Sequence, residues 1–156
     1  MTDPSPSRNR KLALNRRALH DYFVLDKREA GIELKGTEVK SAKEGQISLA
    51  GSYARIDEGQ AYLVNSNIPA YEFGNRFNHE PDRTRRLLLH AEEIRRLEAQ
   101  TAQKGLALIP LSAYVKNGRI KIELALCKGK RESDKRETIR RKTADREAQR
   151  AIAERR

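Results

Sequence analysis

Apolar side chains recur with a period of two through most of this chain and with a helical period in one well-defined stretch. The clearest alternation lies in KNGRIKIELALC, where Ile120, Ile122, Leu124 and Leu126 interleave with Arg119, Lys121, Glu123 and Ala125. That is the pattern of a strand with one buried face. Asn117-Gly118 just before it can supply the positive φ angles of a two-residue hairpin turn. The preceding run, LALIPLSAYVK, is therefore its partner, and Pro110 within it predicts a bulge or an edge. HDYFVLDKREAGIEL is rich in β-prone residues and ends in the alternation Ile32, Glu33, Leu34. QISLAGSYARI and QAYLVNSNI read as strands joined at the Asp57–Gly59 turn, and RLLLH reads as a buried strand.

Helical spacing is found in AEEIRRLEAQTAQKG: Ala91, Ile94 and Leu97 share a face, and Gly105 stands where a C-terminal cap belongs. GTEVKSAKEG predicts a helical turn, with Thr37 as its cap and Gly45 as its stop. The count is about six short, mostly antiparallel strands, and such a set hides its edges best by closing. The expected fold is mainly β: a small closed antiparallel barrel of the oligonucleotide-binding (OB) kind, with one flanking helix and a helical turn, over residues 14–129. Residues 1–13, Pro/Ser-rich and then basic, predict a flexible arm. The segment from Ala70 to Arg86 has no period and is too long for an ordinary connection.

After Gly129 the apolar pattern stops. Residues 130–156 contain no glycine or proline besides eleven Lys and Arg, and their only large aliphatics are Ile139 and Ile152. Glu132 with Arg136, and Glu137 with Arg141, are i,i+4 pairs in the favourable order, and Asp134 can cap a helix. Such pairs contribute only about 0.2–0.5 kcal/mol each. Ordering the backbone costs about 1–2 kcal/mol per residue, and the stripe of Ala144, Ala148 and Ile152 is too thin to offset it. The tail is expected to be disordered alone and helical when bound to a polyanion.

Composition points the same way. The formal net charge is +11 with 35% charged residues, a field that concentrates nucleic acid first and anionic membrane second. The single Cys127 excludes an internal disulfide framework or a cysteine-rich zinc site. No long apolar run marks a signal peptide or membrane span, so a cytoplasmic protein with no membrane partner is expected.

Catalytic patterns are weak. His20, His79 and His90 lie in separate elements, no HExxH or CxxC spacing occurs, and no metal or other cofactor is expected. Ser52 in AGSYA lacks the glycines of a nucleophile elbow, and GKRES places Arg131 where a phosphate loop needs Ser or Thr. His79-Glu80 is the one conceivable acid–base pair, and a polar loop is the commoner meaning of such a dipeptide.

Binding patterns are stronger. The 70–86 segment mixes Tyr71, Phe73, Phe77 and His79 with Arg76, Arg83, Arg85 and Arg86, which suits base stacking beside phosphate contacts. Equally, Tyr71 and Phe77 can pin the loop to the barrel. Arg16, Arg17 and His20 enter the first strand together. Lys116, Asn117 and Arg119 occupy the hairpin tip, and Lys121 its outward face. Glu29 is an acidic interruption that can pair with Arg28 or accept from an RNA amino group or 2′-hydroxyl.

Taken together, LNRRALHDYF, EAGIELKGTEVKS, YEFGNRFNHEPDRTRRLLLH, KNGRIKIELALCKGK and DKRETI resemble, in order, the signature stretches of the small protein B family, the SsrA (tmRNA)-binding proteins. The resemblance runs from about Leu14 to the end of the chain. It implies an OB-like barrel that binds the tRNA-like domain of tmRNA, and a tail that enters the decoding centre and mRNA channel of a stalled ribosome. Alanyl-tmRNA arrives with elongation factor Tu and the nascent chain is tagged, so the implied protein is a monomeric adaptor, not an enzyme and not a DNA binder. By motif, Asn15, Arg17, His20, Tyr22, Glu29, Leu88, Lys116 and Lys121 fall on the tmRNA face. Gly129, Lys130, Asp134, Lys135 and Arg136 match the ribosome-binding part of the tail, to which the charge pattern adds Arg131, Arg140 and Arg141. Where the family often carries a stacking His or Tyr before Asp134, this chain has Arg131, Glu132 and Ser133. Ser133 cannot stack, which leaves Arg131 or Arg136 to act electrostatically. A general single-strand RNA binder and a small RNA-processing enzyme using His79 and Glu80 are the competing readings.

Overall fold

The computed structural model describes residues 10–74 and 77–154. In chain order the elements are β1 (Arg10–Leu14), α1 (Arg16–Asp21), β2 (Tyr22–Ile32), α2 (Gly36–Lys43), β3 (Tyr53–Asp57), β4 (Gln60–Val64), β5 (Arg85–Leu88), α3 (Ala91–Thr101), β6 (Leu106–Lys116), β7 (Arg119–Gly129) and α4 (Glu132–Glu154). All strand pairings among these residues are antiparallel, in the order β1-β6-β3-β4-β5-β2-β7, and the β6–β7 hairpin closes the ring.

The ring therefore has the expected six strands, and β1 is a seventh laid against it. Closure is uneven. Whereas β7 pairs along its length with both neighbours, β3 meets β6 only at Ala54–Leu108, and β5 meets β2 only at Gly31–Leu88 and Ile32–Leu87. Beyond Leu108 the edge of β6 is open to β1, which pairs Arg10 to Leu14 with Val115 to Ser112. Strand thus begins inside the segment expected to be an arm, because Leu12 and Ala13 pack on the core and the β6 edge takes their backbone. Residues 1–9 of that segment lie outside the described residues.

Local expectations are met where turn chemistry decides. Asn117 and Gly118 have φ of 52° and 77°, and the register shifts between Pro110 and Ser112. QISLAGS is not a strand; it makes one isolated bridge, Ser48–Asn67. Helices are more numerous than expected. Three of them begin alike: an acidic side chain at the third helical position reaches back to the capping amide. Glu38 accepts from the Lys35 N–H at 2.8 Å, Glu93 from His90 at 3.3 Å and Asp134 from Arg131 at 3.2 Å. Neither Thr37 nor Asp134 is thus the N-cap itself. The tail is helix α4, the form expected of it when bound, with Glu137 pairing to Arg141 at 3.6 Å.

Inside the ring, Ala30, Leu63, Leu87, Ile122 and Leu124 are at most 1% exposed. A second apolar cluster lies on the outer face, where Ala18 of α1 covers Ile109, Leu111, Ala125 and Cys127. Burial pushes the Cys127 thiol up to about 11, so at neutral pH it is an inert packing group.

The largest fully buried side chain is charged. Arg85, 0% exposed, bonds Glu38 through Nε at 2.5 Å, the Ser66 carbonyl at 3.1 Å and the Pro81 carbonyl at 3.0 Å. Arg83 meets the other Glu38 oxygen at 2.6 Å. Burial alone would raise the Glu38 carboxyl, but Arg83, the Lys35 amide and Arg85 outweigh it and hold it below the usual glutamate range. Neutralising this one carboxylate leaves the buried Arg85 without a counter-charge. Glu38→Gln should therefore cost about 3–5 kcal/mol in urea unfolding. Because the folded pKa is the lower one, the contribution of Glu38 is present at neutral pH. It should be lost as the pH falls through that depressed value, and the variant should lack this acid-dependent component.

Candidate nucleic-acid interface

The outer faces of β2, β6 and β7 build the site. After the Pro110 bulge, Ser112, Tyr114 and Lys116 point outward from β6, in register with Glu123, Lys121 and Arg119 of β7. On the other side of β7, Gly31 and Glu29 oppose Lys121 and Glu123. Lys116, Asn117, Arg119, Lys121 and Glu29 thus line one shallow cavity of about 500 Å³. Lys116, Arg119 and Lys121 are the cations that line this cavity.

Glu29 orders it. Its carboxylate accepts from the Tyr114 hydroxyl at 2.5 Å and from Lys116 Nζ at 3.2 Å. The Tyr114 bond lowers the Glu29 pKa, burial opposes that, and Lys116 lowers it further. Burial first and Glu29 second raise the Tyr114 phenol well above its ordinary value. The phenol stays a donor and Glu29 an ionised acceptor. Arg28 is not its partner; its guanidinium turns to Glu93 at 3.2 Å. Tyr114 escaped the sequence reading, although its alternation with Ala113 and Val115 could have placed it outside.

Leu88 adjoins this face. RLLLH reads as core throughout, but β5 alternates: Leu87 is 1% exposed and Leu88 47%. Leu88 lies opposite Gly31, where an added Cβ would come within 3.1 Å of the Leu88 Cβ. Glycine there lets the leucine sit close against β2.

Other expected contacts are used by the fold. Asn15 is 4% exposed: its Nδ2 donates to the carbonyls of Pro110 at 2.9 Å and Leu49 at 3.3 Å, and its Oδ1 caps α1 by accepting from Ala18 N. Arg83, 28% exposed, turns its guanidinium inward onto Glu38, whose one charge it shares with Arg85. Arg85 is internal, and Arg86 stays exposed with Glu33 at 3.9 Å. Arg76 lies outside the described residues. His79, 5% exposed, donates from Nε2 to the Ile68 carbonyl at 2.7 Å and shares a 2.8 Å bond with the Thr37 hydroxyl. Phe73 and Phe77 remain exposed, and Tyr71 stacks edge-on to Phe73 at 5.6 Å.

A second group forms around α1. Arg16 is exposed, Tyr22 packs on the outer apolar cluster, and Arg17 and His20 both turn to Asp21, at 3.5 and 3.0 Å. Lys135 reaches the same carboxylate from α4 at 3.5 Å. His20 first, against a smaller effect of burial, and then Lys135 hold Asp21 below the usual aspartate range. Asp21 was not foreseen as a site residue. Lys130 lies over the Phe23 ring at 5.1 Å. Gly129, Arg131, Arg136, Arg140 and Arg141 are exposed.

The hairpin tip and the start of α4 sit at opposite ends of β7, about 34 Å apart for a strand from Arg119 to Gly129. Among the described residues no cluster of His, Cys, Asp and Glu could hold a metal, and no helix is long and apolar enough to cross a membrane.

Fold and surface together define a small β-ring protein with a cationic outer face and a cationic helix projecting from the far end. The model of the SmpB protein family matches residues 12–154. The SsrA-binding protein of Shouchella clausii is 54% identical over 144 residues, 92% of each chain. That of Pelotomaculum thermopropionicum is 57% identical over 141 residues, 90% of this chain and 92% of the other. A solved chain from "tmRNA-SmpB: a journey to the center of the bacterial ribosome" superposes with a TM-score of 0.66 at 48% identity, covering 82% of this chain and 94% of that one. The chain belongs to the SmpB protein family.

The Leu87–Leu88 alternation can be checked by stability alone. Leu87→Ala should cost about 2–5 kcal/mol in thermal or urea unfolding. Leu88→Ala, at a half-exposed position, should change stability by less than about 1 kcal/mol. An equal loss in both would mean that Leu88 is part of the core.

Proposed function

We propose that this protein is an RNA-binding adaptor of ribosome rescue: it holds tmRNA on the outer face of β2, β6 and β7, and presents α4 to a stalled ribosome. The observation that carries the reading is the placing of two cationic surfaces at opposite ends of one strand. Lys116, Arg119 and Lys121 surround an ionised Glu29 at the hairpin end, and the tail cations follow Gly129 at the other. The relatives are SsrA-binding proteins, and the structural neighbour pairs tmRNA with SmpB and the bacterial ribosome.

On that face the lysines and Arg119 take phosphates. Glu29, acceptor only, takes a base amino group or a 2′-hydroxyl, and Leu88 supplies apolar contact beside it. The helix α4, about 34 Å long, brings cations to most of its sides and suits a channel walled by phosphate. Arg131, Lys135, Arg136, Arg140 and Arg141 are the tail residues assigned to that channel. Barrel over 14–129 and tail over 130–156 are thereby separate working parts. Elongation factor Tu meets the complex through alanyl-tmRNA, and the setting is the cytoplasm, where ribosomes are. No catalytic step is assigned. The RNA-processing reading needs His79 as a free base, whereas its Nδ1 is bonded to Thr37 of α2 and its Nε2 donates to the Ile68 carbonyl.

Truncation after Gly129 should leave the tmRNA gel shift nearly intact and abolish tagging of a stalled nascent chain. Lys121→Ala should weaken tmRNA binding and flatten the plot of log affinity against log salt by roughly 0.7–0.9, the loss of one phosphate contact. Binding indifferent to salt, or tagging by the truncated chain, would sink the respective half of the proposal.

A further inference from the structure

Outward residues of neighbouring strands stay in register well beyond the hairpin. In one row Tyr114 pairs with Lys121, Lys121 with Gly31, and Gly31 with Leu88. Two residues along each strand lies a second outward row. It begins with Lys116 opposite Arg119 and resumes past β2, where Arg86 lies opposite Tyr62 and Tyr62 opposite Arg55. These last three face out because their neighbours face in: Arg85, Leu87, Ala61 and Leu63 are at most 1% exposed, and Ala54 8%. Arg119 and Arg55 are four strand spacings apart around the ring, about 19 Å.

The second row places an aromatic ring between two guanidinium groups. The Arg55 guanidinium lies 5.9 Å from the centre of the Tyr62 ring, at the outer limit of a cation–π contact, so it does not cap that ring tightly. Glu33, which follows β2, interrupts the row: its N–H donates to the Arg86 carbonyl at 2.9 Å, and its carboxylate approaches the Arg86 guanidinium only to 3.9 Å. So loose and exposed a pair is readily exchanged for a phosphate. Glu29, Lys121, Leu88, Gln60 and Arg86 share one groove of about 410 Å³, so an occupant of the hairpin face can pass onto β5 and β4 without leaving the surface. A ring flanked by guanidinium groups suits an unpaired nucleotide, whose base stacks on the ring while its phosphates meet the cations. A paired stem keeps its base faces inside its own stack and offers none to the ring.

We propose that Arg86, Tyr62 and Arg55 extend the RNA site around the ring and hold an unpaired stretch of the RNA that occupies the hairpin face. Tyr62 stacks one base, and Arg86 and Arg55 take the phosphates beside it. The identity of that RNA rests on the function proposed above; the nucleotide chemistry rests on the geometry of the row itself.

The test uses the full chain, which contains no tryptophan, so Tyr62→Trp supplies a single indole fluorophore in the middle of the row. Saturation with a transcript of the tRNA-like domain of tmRNA should quench its emission by about half, as a stacked base would. Tyr62→Phe should bind the transcript within about twofold of the wild type, whereas Tyr62→Leu should bind about tenfold more weakly at an unchanged melting temperature. Arg86→Gln and Arg55→Gln, at exposed positions, should each flatten the plot of log affinity against log salt by about 0.7–0.9. Unquenched emission at saturation, wild-type affinity in Tyr62→Leu, or a wild-type salt slope in both arginine variants would overturn the extension, while Lys121→Ala still decides the hairpin face. An unpaired RNA of about 12 nucleotides is the second probe. If it quenches Tyr62→Trp and the transcript does not bind, the tmRNA assignment falls and the extension stands. If neither RNA quenches the indole, the extension falls.

Discussion

One buried ion pair sets the geometry from which the site follows. Arg85 is the first residue of the shortest ring strand, and Glu38 sits in the first turn of α2. Their contact ties that strand to the helix, to the Ser66 backbone and to the far limb of the long loop in a single step. The ring needs such a tie because its β5–β2 seam has only two residue pairs in register. A buried pair of this kind does little for net stability compared with apolar packing, but it leaves few alternative registers. Register decides function here, since a shift of one residue along β5 would bury Leu88 and expose Leu87.

The outer face of the β6–β7 hairpin then divides its length between two tasks. From Tyr114 and Lys121 outward it is polar and open; from Ile109 and Ala125 back it is apolar and covered by α1. The bulge at Pro110 marks the changeover. Without it, the outward set of β6 would continue through Leu111 to Ala113 and Val115, exposing side chains that now belong to the core. The residue that cannot donate to the ladder is what lets one strand serve a dry contact at one end and a wet one at the other.

Much of this was legible in the sequence, and the exceptions have a common cause. The hairpin, the bulge, the buried alternation of β7 and the α3 stripe are encoded over a few neighbouring residues, so periodicity and turn chemistry suffice. α1 is not of that kind: six residues without a repeat become a helix because Asn15 finds carbonyls at Leu49 and Pro110, which are distant in sequence. The arginines of the long loop failed for the same reason. Nothing near Arg83 or Arg85 announces that Glu38 lies in wait for both. That the basic hairpin tip and Glu29 belong to one surface was legible, whereas the hydroxyl of Tyr114 that orients Glu29 depends on a cross-strand neighbour.

The tail follows from these distances. Its residues lack the apolar area to pack on the ring, so local propensity and charge pairing alone would leave it marginal. What the ring offers instead is a socket of polar atoms at the end of α1: the Leu19 and Asp21 carbonyls and the Asp21 carboxylate. Polar contacts of this sort are directional but individually weak, and salt or a competing anion weakens them further. An apolar socket would fix the helix permanently, and no socket would leave its direction undefined. The direction of this cationic helix is therefore set by charge and hydrogen bonding at its first turns and not by packing.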